Sequence, residues 1–417
     1  MITAIANALR VPELRRKIIF TLVVLGLYRI GAHIPVPGVD IEAVRALVEG
    51  QAVLGLLNLF SGGALETFAV FSLGIMPYIT ASIIMQLLRA VVPTLERWSK
   101  EGETGQRKIT QWTRYLTLGI AVLNALGLLT VFRDALAGSG VGFGVVTNAV
   151  IVISLVAGAI LVMWMGELIT QRGIGNGMSL IIFASIVARF PVAMWQALQL
   201  GNVLMFVVTI VIFLAVVAFV VMMERGQRRI PVQYAKRVIG RKVYGGSGTY
   251  IPLKVNGSGV IPIIFASAVL FFPAQLATMT GNAFLTGVGN ALSEGWLYYA
   301  FFSVLIVFFA YFYSALVFNP IDLGDNLRKN GGFIPGVRPG KATVSYIEGV
   351  MNRITLPGAV FLAGIAILPT ILFRATDMTV LEQFGGASIL IMVGVALETM
   401  TQLESQLKMR HYDGFFK

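Results

Sequence analysis

The stretch Gly74-Ile75-Met76-Pro77-Tyr78-Ile79-Thr80-Ala81-Ser82 returns in altered form as Gly259-Val260-Ile261-Pro262-Ile263-Ile264-Phe265-Ala266-Ser267, with five of the nine positions identical. A weaker echo joins Gly177-Met178-Ser179-Leu180-Ile181-Ile182 to Gly386-Ala387-Ser388-Ile389-Leu390-Ile391. All four segments lie in apolar runs, and within each pair the runs are five apart. Helices threading a bilayer alternate in direction, so an odd offset turns one half of the chain upside down relative to the other. Two matches at one offset predict an inverted repeat of five plus five spans.

Composition supports that count. Of the 417 residues, 57% are hydrophobic and 12% charged, against about 25% charged in an average soluble domain, and mean hydropathy is +0.82. Ten runs reach or approach the roughly 20 residues that cross a bilayer: 17–34, 68–88, 115–131, 146–166, 174–190, 203–223, 258–273, 297–318, 355–373 and 384–400. The fold class expected is an all-α polytopic membrane protein of ten transmembrane helices in two inverted halves, residues 1–190 and 191–417. Arg10, Arg15, Arg16 and Lys17 precede the first run, but no small-residue cleavage site follows it. The first helix is therefore expected to stay as a signal anchor.

Charge sets the orientation. Loops alternate sides, and 27 of the 32 Lys and Arg residues fall on the side of the two termini; only Arg29, Arg45, Arg133, Arg189 and Arg374 lie on the other. The positive-inside rule places both termini in the cytoplasm. The cytoplasmic segments 224–257 and 319–344 are long, basic and rich in turn residues, more than topology requires. They predict a docking platform for an acidic or polyanionic partner. With no cysteine and two histidines, neither disulfide nor thiolate metal site is available, and no metal, cofactor or catalytic residue is predicted.

In inverted-repeat proteins, Gly/Pro-interrupted helices at matched positions point to the working site. Pro77 and Pro262 are expected to kink spans two and seven. Ile75, Ile79 and Ile83 recur at i, i+4, i+8 in span two. Val260 and Ile264 take the equivalent face of span seven, with Ile182 and Ile186 in span five and Ile391 in span ten. A transporter site would need ionisable groups at midplane; this set instead predicts a hydrophobic constriction that excludes water and ions by dewetting, built from side chains stiff at χ1. Ahead of span two, residues 56–65, which include Leu57, Asn58, Phe60, Ser61, Gly62 and Gly63, are too short to cross and too apolar for a free loop. Two readings are open for this segment: a short helix tucked back into the protein, or an ordinary interfacial helix.

These residues resemble the SecY family, the channel subunit of the bacterial protein-conducting translocon, along essentially the whole chain. The resemblance rests on residues 34–40 (IPVPGVD), 60–65 (FSGGAL), 74–79 (GIMPYI), 172–177 (RGIGNG), 224–230 (ERGQRRI), 252–256 (PLKVN) and 333–340 (FIPGVRPG). It implies two five-helix halves around an hourglass pore that passes unfolded secretory chains and releases membrane helices sideways. The pore ring then maps onto Ile75, Ile79, Ile182, Ile186, Ile264 and Ile391. The plug maps onto about Leu56–Leu65. The lateral gate maps onto spans two and seven with parts of three and eight, including Pro77, Ser82, Val260, Pro262 and Ser267. Docking of the ribosome and the SecA motor is implied for Arg228, Arg229, Lys236, Arg237, Arg241, Lys242 and Arg338, with Arg338 at the tip most important for the motor. Small SecE-like and SecG-like subunits, signal sequences, nascent chains and the lipid bilayer are the other implied partners, and the bacterial cytoplasmic membrane the implied location. The departures are short external loops, a brief C-terminal tail and Met178 in place of the usual aliphatic.

A secondary transporter also fits ten inverted spans, but charges such as Glu167 and Glu398 lie near cytoplasmic span ends rather than at midplane. A membrane ATPase would need a phosphate loop, and Gly102-Glu103-Thr104-Gly105 lacks its spacing. Likewise Gly173-Ile174-Gly175-Asn176-Gly177 misses the dinucleotide spacing. The energy for directional transport is expected to come from outside this chain, which is read as a passive pore and not an enzyme.

Overall fold

The computed structural model describes residues 9–37, 39–50, 52–132, 144–200, 203–234, 237–239, 242–244, 249–280, 287, 296–375 and 385–413. Ten helices fall on the ten expected spans: α1 (Pro12–Gly31), α4 (Met76–Val91), α6 (Glu103–Val131), α7 (Val145–Arg172), α8 (Gly177–Leu200), α9 (Val203–Arg225), α10 (Ile261–Thr280), α11 (Trp296–Val317), α13 (Lys341–Ala375) and α14 (Gly386–Asp413). Seven helices among the described residues are long and apolar enough to cross a bilayer alone, and α4 qualifies together with α5 (Pro93–Lys100), bent from it by 97°. Charges crowd the first turns of α1, and the apolar stretch described within α10, Ile261–Leu270, is too short to cross alone. The protein is a multi-pass membrane protein.

The repeat is visible in the backbone. Gly74 and Gly259 both adopt a left-handed conformation, φ +54° and +62°, and a helix begins two residues after each. The next residue is proline in both, Pro77 and Pro262. This corrects the expectation of kinks. A proline in the first turn gives up an N–H that has no intrahelical partner there, so both prolines start their helices instead of bending them. Span two is accordingly shorter than the apolar run 68–88: residues 61–75 are turns, and regular helix starts at Met76.

The second repeat pair is a packing device. Gly177 opens α8 and Gly386 opens α14. A Cβ on Gly177 would run into the carbonyl oxygen of Gly166 on α7, and one on Gly386 into that of Ile365 on α13. Spans four and five, and spans nine and ten, thus meet at two-fold related points where only glycine fits. Span five runs on through Pro191 to Leu200, past the expected boundary between halves.

Contact between the halves is made at two seams. On one side α10 packs against α4 and α6; on the other α8 packs against α14 and α9. Outside the helical bundle the described parts of the two polar segments form strands and a helix. Strand β1 (Gln227–Tyr234) lies between β4 (Thr249–Lys254) and β5 (Gly332–Phe333), all antiparallel, with Ile230 opposite Ile251 and Gln233 opposite Phe333. A second hairpin pairs β2 (Arg237–Ile239) with β3 (Lys242–Tyr244). Ile230, Val232, Leu253, Leu327, Ile334 and Ile347 form a separate core under the sheet, shared with helix α12 (Pro320–Lys329).

The glycine packing gives a direct test. Gly386→Ala and Gly177→Ala should each destabilise the detergent-solubilised protein by ~1–3 kcal/mol, the usual cost of overpacking. Gly119→Ala, where a Cβ meets nothing within 4 Å, should be neutral or stabilise by up to about 1 kcal/mol. Thermal unfolding of the three variants measures this, and equal shifts for all would refute the close-approach account.

Candidate functional pore and docking face

Ile75, Ile79, Ile182, Ile186, Ile264 and Ile391 are all buried and belong to one hydrophobic cluster. Each comes from the element expected: Ile75 caps α4, Ile79 lies one turn on, Ile182 and Ile186 sit in α8, Ile264 in α10 and Ile391 in α14. The cluster also holds Leu59 and Phe60. Four helices, two from each half, therefore contribute isoleucines to one apolar cluster that the end of the predicted plug shares.

After α2 (Ile41–Gly50), the segment expected as the plug opens on a nine-residue helix, α3 (Ala52–Phe60), followed by the turns of 61–75. It packs against α8, and Leu54, Leu59 and Phe60 are buried. Asn58, Phe60 and Ser61 are buried, at 2%, 4% and 2% exposure. Gly62 and Gly63 both have positive φ, +70° and +91°. They turn the chain back so tightly that Gly63 N–H donates to the Asn58 carbonyl at 2.8 Å. Leu57 is half-buried beside the same cluster.

What holds the plug was not found from sequence. Tyr28 on α1 donates its hydroxyl hydrogen to the Ser61 carbonyl (3.1 Å) and lies 2.8 Å from Ser185 Oγ on α8. Arg29 donates to the Gly62 carbonyl. Glu66 accepts from Asn58 Nδ2 at 2.8 Å, its own N–H donates to Asn58 Oδ1 at 3.1 Å, and its carboxylate pairs with Arg189 of α8 at 2.9 Å. Backbone bonds add Val36 N–H to the Phe68 carbonyl and Val70 N–H to the Ile34 carbonyl. Arg29 and Arg189 had been counted only as two of the five external cations. Charges inside apolar runs, set against the one polar turn of the plug, were the available signal. A second ion pair, Arg114 to Glu167 at 2.6 and 2.9 Å, ties α6 to α7.

At the α4–α10 seam, Pro77, Val260 and Pro262 are buried and Ser82 and Ser267 half-buried. Ser82 accepts from Gln86 one turn along its own helix, and Ser267 donates to the Ile263 carbonyl. The seam hydroxyls bond within their own helices, so the contact between the two helices is mainly apolar.

On the sheet, Arg228 and Arg229 are exposed, with the Arg229 guanidinium 4.8 Å from the Tyr250 ring centroid. Arg237 and Lys242 begin the two strands of the β2–β3 hairpin; Lys236 and Arg241 lie outside the described residues. Arg338 is exposed at the turn between β5 and α13, framed by Gly336 (φ +82°) and Gly340 (φ +103°), and its carbonyl accepts from Thr343 Oγ1 at 2.9 Å. Because β1 pairs with β5, the two polar segments, separate in sequence, present their cations from one folded unit.

Comparison with known proteins agrees with this geometry. The SecY family profile matches residues 69–400. The protein translocase subunit SecY of Streptomyces galbus is 50% identical over 437 residues, covering 100% of both chains. That of Mycobacterium tuberculosis is 45% identical over 441 residues, again covering 100% of both. Among solved structures, a protein-conducting channel superposes with a TM-score of 0.68 at 19% identity, covering 94% of this chain and 92% of that one. Sec61 in the canine ribosome–channel complex from the endoplasmic reticulum gives 0.61 at 17% identity, covering 94% and 92%. With a family profile matched over residues 69–400 and full-length relatives near half identity, this chain belongs to the SecY family of protein translocase subunits.

Proposed function

We propose that this chain is the pore of a translocase, passing unfolded secretory polypeptides across the bacterial cytoplasmic membrane and releasing apolar helices sideways into lipid. The observation carrying this reading is the burial of six isoleucines from four repeat-related helices in one apolar cluster that also holds Leu59 and Phe60; we read the six as a ring. Such a ring has no group that would bind a small solute, which counts against the transporter alternative. It seals by excluding water and yields to a chain wide enough to part it.

The plug is the second barrier. Its hydrogen bonds and ion pair to spans one and five stand in for the solvent that its turns would otherwise need. The α4–α10 seam is the lateral gate, since parting an apolar contact costs less than breaking buried polar bonds. A signal helix gains several tenths of a kcal/mol per Leu or Ile on leaving water for lipid, which favours its exit there.

The sheet unit is the docking face, oriented to the cytoplasm by its basic residues. The ribosome is its partner for nascent chains, as in the Sec61 complex to which the fold is similar, and a SecA-type motor its partner for finished ones. SecE-like and SecG-like subunits would cover part of the exposed apolar helix surface. The energy for movement comes from these partners, and the chain itself acts as a passive pore.

Three experiments bear on this reading. Ile79→Asn or Ile264→Asn places an amide in the ring and should raise the resting ion conductance of the reconstituted channel; unchanged conductance in both would remove these residues from the seal. Arg338→Glu reverses the one cation at an exposed, glycine-framed tip, where Lys could not reproduce the fork of a guanidinium. Expression and insertion should stay normal while motor-driven translocation falls to background, and ATP-driven transport at wild-type rate would show the tip to be a simple loop. Finally, with no native cysteine as background, a pair at Ser82 and Ser267 or adjacent positions should oxidise to a disulfide across the seam. That bond should block translocation and signal-helix insertion until reduced; full cross-linking with unhindered secretion would mean the exit lies elsewhere.

A further inference from the structure

The connector between the docking sheet and span seven is six residues, Val255 to Val260, and it is pinned at several points. Val255 extends the sheet, its N–H donating to the Gly226 carbonyl at 3.0 Å. On the other side it abuts α13 so closely that a Cβ on Gly358 would meet the Val255 carbonyl oxygen. Asn256 is 4% exposed and Ser258 6%. The Asn256 side chain makes three bonds: Nδ2 donates to Glu224 Oε1 at 2.6 Å and to the Gly259 carbonyl at 3.0 Å, and Oδ1 accepts from Ser258 Oγ at 3.2 Å. Glu224 lies at the end of α9, just before β1 begins. Gly259, in its left-handed conformation, hands the chain to Val260, whose carbonyl accepts from Ile263 and Ile264 N–H in the first turn of α10.

One buried amide thus ties together the entry to the sheet, the exit from it and the first turn of the helix that carries Ile264. A slack connector of polar residues would let the sheet shift without disturbing the helix. This one leaves three of the four hydrogen-bonding positions of the amide occupied, in a site where an unmade bond is costly. Any displacement of the sheet edge is passed to Gly259 and from there to Val260, which itself sits against Gly394 of α14. We propose that Asn256, held by Glu224, is a positioning residue that couples docking on the sheet to movement of span seven. The inference rests on the docking reading of the sheet given above.

The test uses the complete translocase in proteoliposomes with ribosomes carrying a secretory nascent chain. Ribosome binding is measured by flotation and channel opening by ion conductance after binding. Asn256→Ala and Glu224→Ala should bind ribosomes as the unmodified protein does. Their docking-triggered conductance should be roughly tenfold lower, the size expected for one lost buried partner. Glu224→Gln keeps an oxygen in reach of Asn256 Nδ2 and should retain opening. Full opening in Asn256→Ala, or loss of opening in Glu224→Gln equal to that in Glu224→Ala, would overturn the coupling role. Loss of ribosome binding in Asn256→Ala would also overturn it, by making the connector part of the docking surface or of the fold. Failure of the unmodified protein to bind ribosomes would instead remove the docking reading, and the coupling with it.

Discussion

Inside hydrocarbon there is no water to satisfy a peptide group, and each unpaired N–H or C=O costs several kcal/mol. Most of this chain meets that constraint by being helical. Residues 61–75 do not, and the rest of the structure is arranged around them. Their carbonyls and amides are taken up by Tyr28 and Arg29 from span one, by backbone bonds to Ile34 and Val36, and by turns of their own. Glu66, the one carboxylate in the segment, is met by Asn58 and Arg189. The wrapping of a non-helical stretch by surrounding helices is what makes a central, pluggable space possible in a bundle of this kind.

The same constraint separates the two kinds of contact in the molecule. Polar contacts described for the plug go to spans one and five, both in the N-terminal half. The contact between halves at the α4–α10 seam is largely apolar. The molecule thus holds together by two kinds of chemistry: an apolar seam between the halves, and a non-helical segment tied down by hydrogen bonds and an ion pair. The six buried isoleucines come from both halves, and their β-branched side chains are stiff at χ1.

Packing between successive spans follows the repeat. Gly177 and Gly386 let spans five and ten approach the backbones of spans four and nine, while Gly74 and Gly259 turn the chain into the helices of spans two and seven. Side chains have diverged between the halves, yet the positions where no side chain fits are shared. Backbone geometry thus preserves the repeat where sequence identity is nearly lost.

Much of the fold was legible in the residues because a bilayer imposes a one-dimensional rule. Apolar run length gives the spans, basic residues predict the sides, and matched Gly-Pro segments give the inversion. Burial of the isoleucine set was legible too, since helical spacing and repeat equivalence select one face. The prolines were misread as kinks because composition does not say where a helix begins, and at the first turn proline is benign. The plug network and the joining of segments 224–257 and 319–344 through β1 and β5 could not be read at all. Arg29, Glu66 and Arg189 are far apart in sequence, as are Gln233 and Phe333, and nothing local marks them as partners. The sequence by itself determined how many times the chain crosses and which stretches are alike, because hydrophobic transfer acts residue by residue. Only the tertiary structure decided which buried charge meets which, because ion pairing and strand pairing depend on distances that the order of residues does not contain.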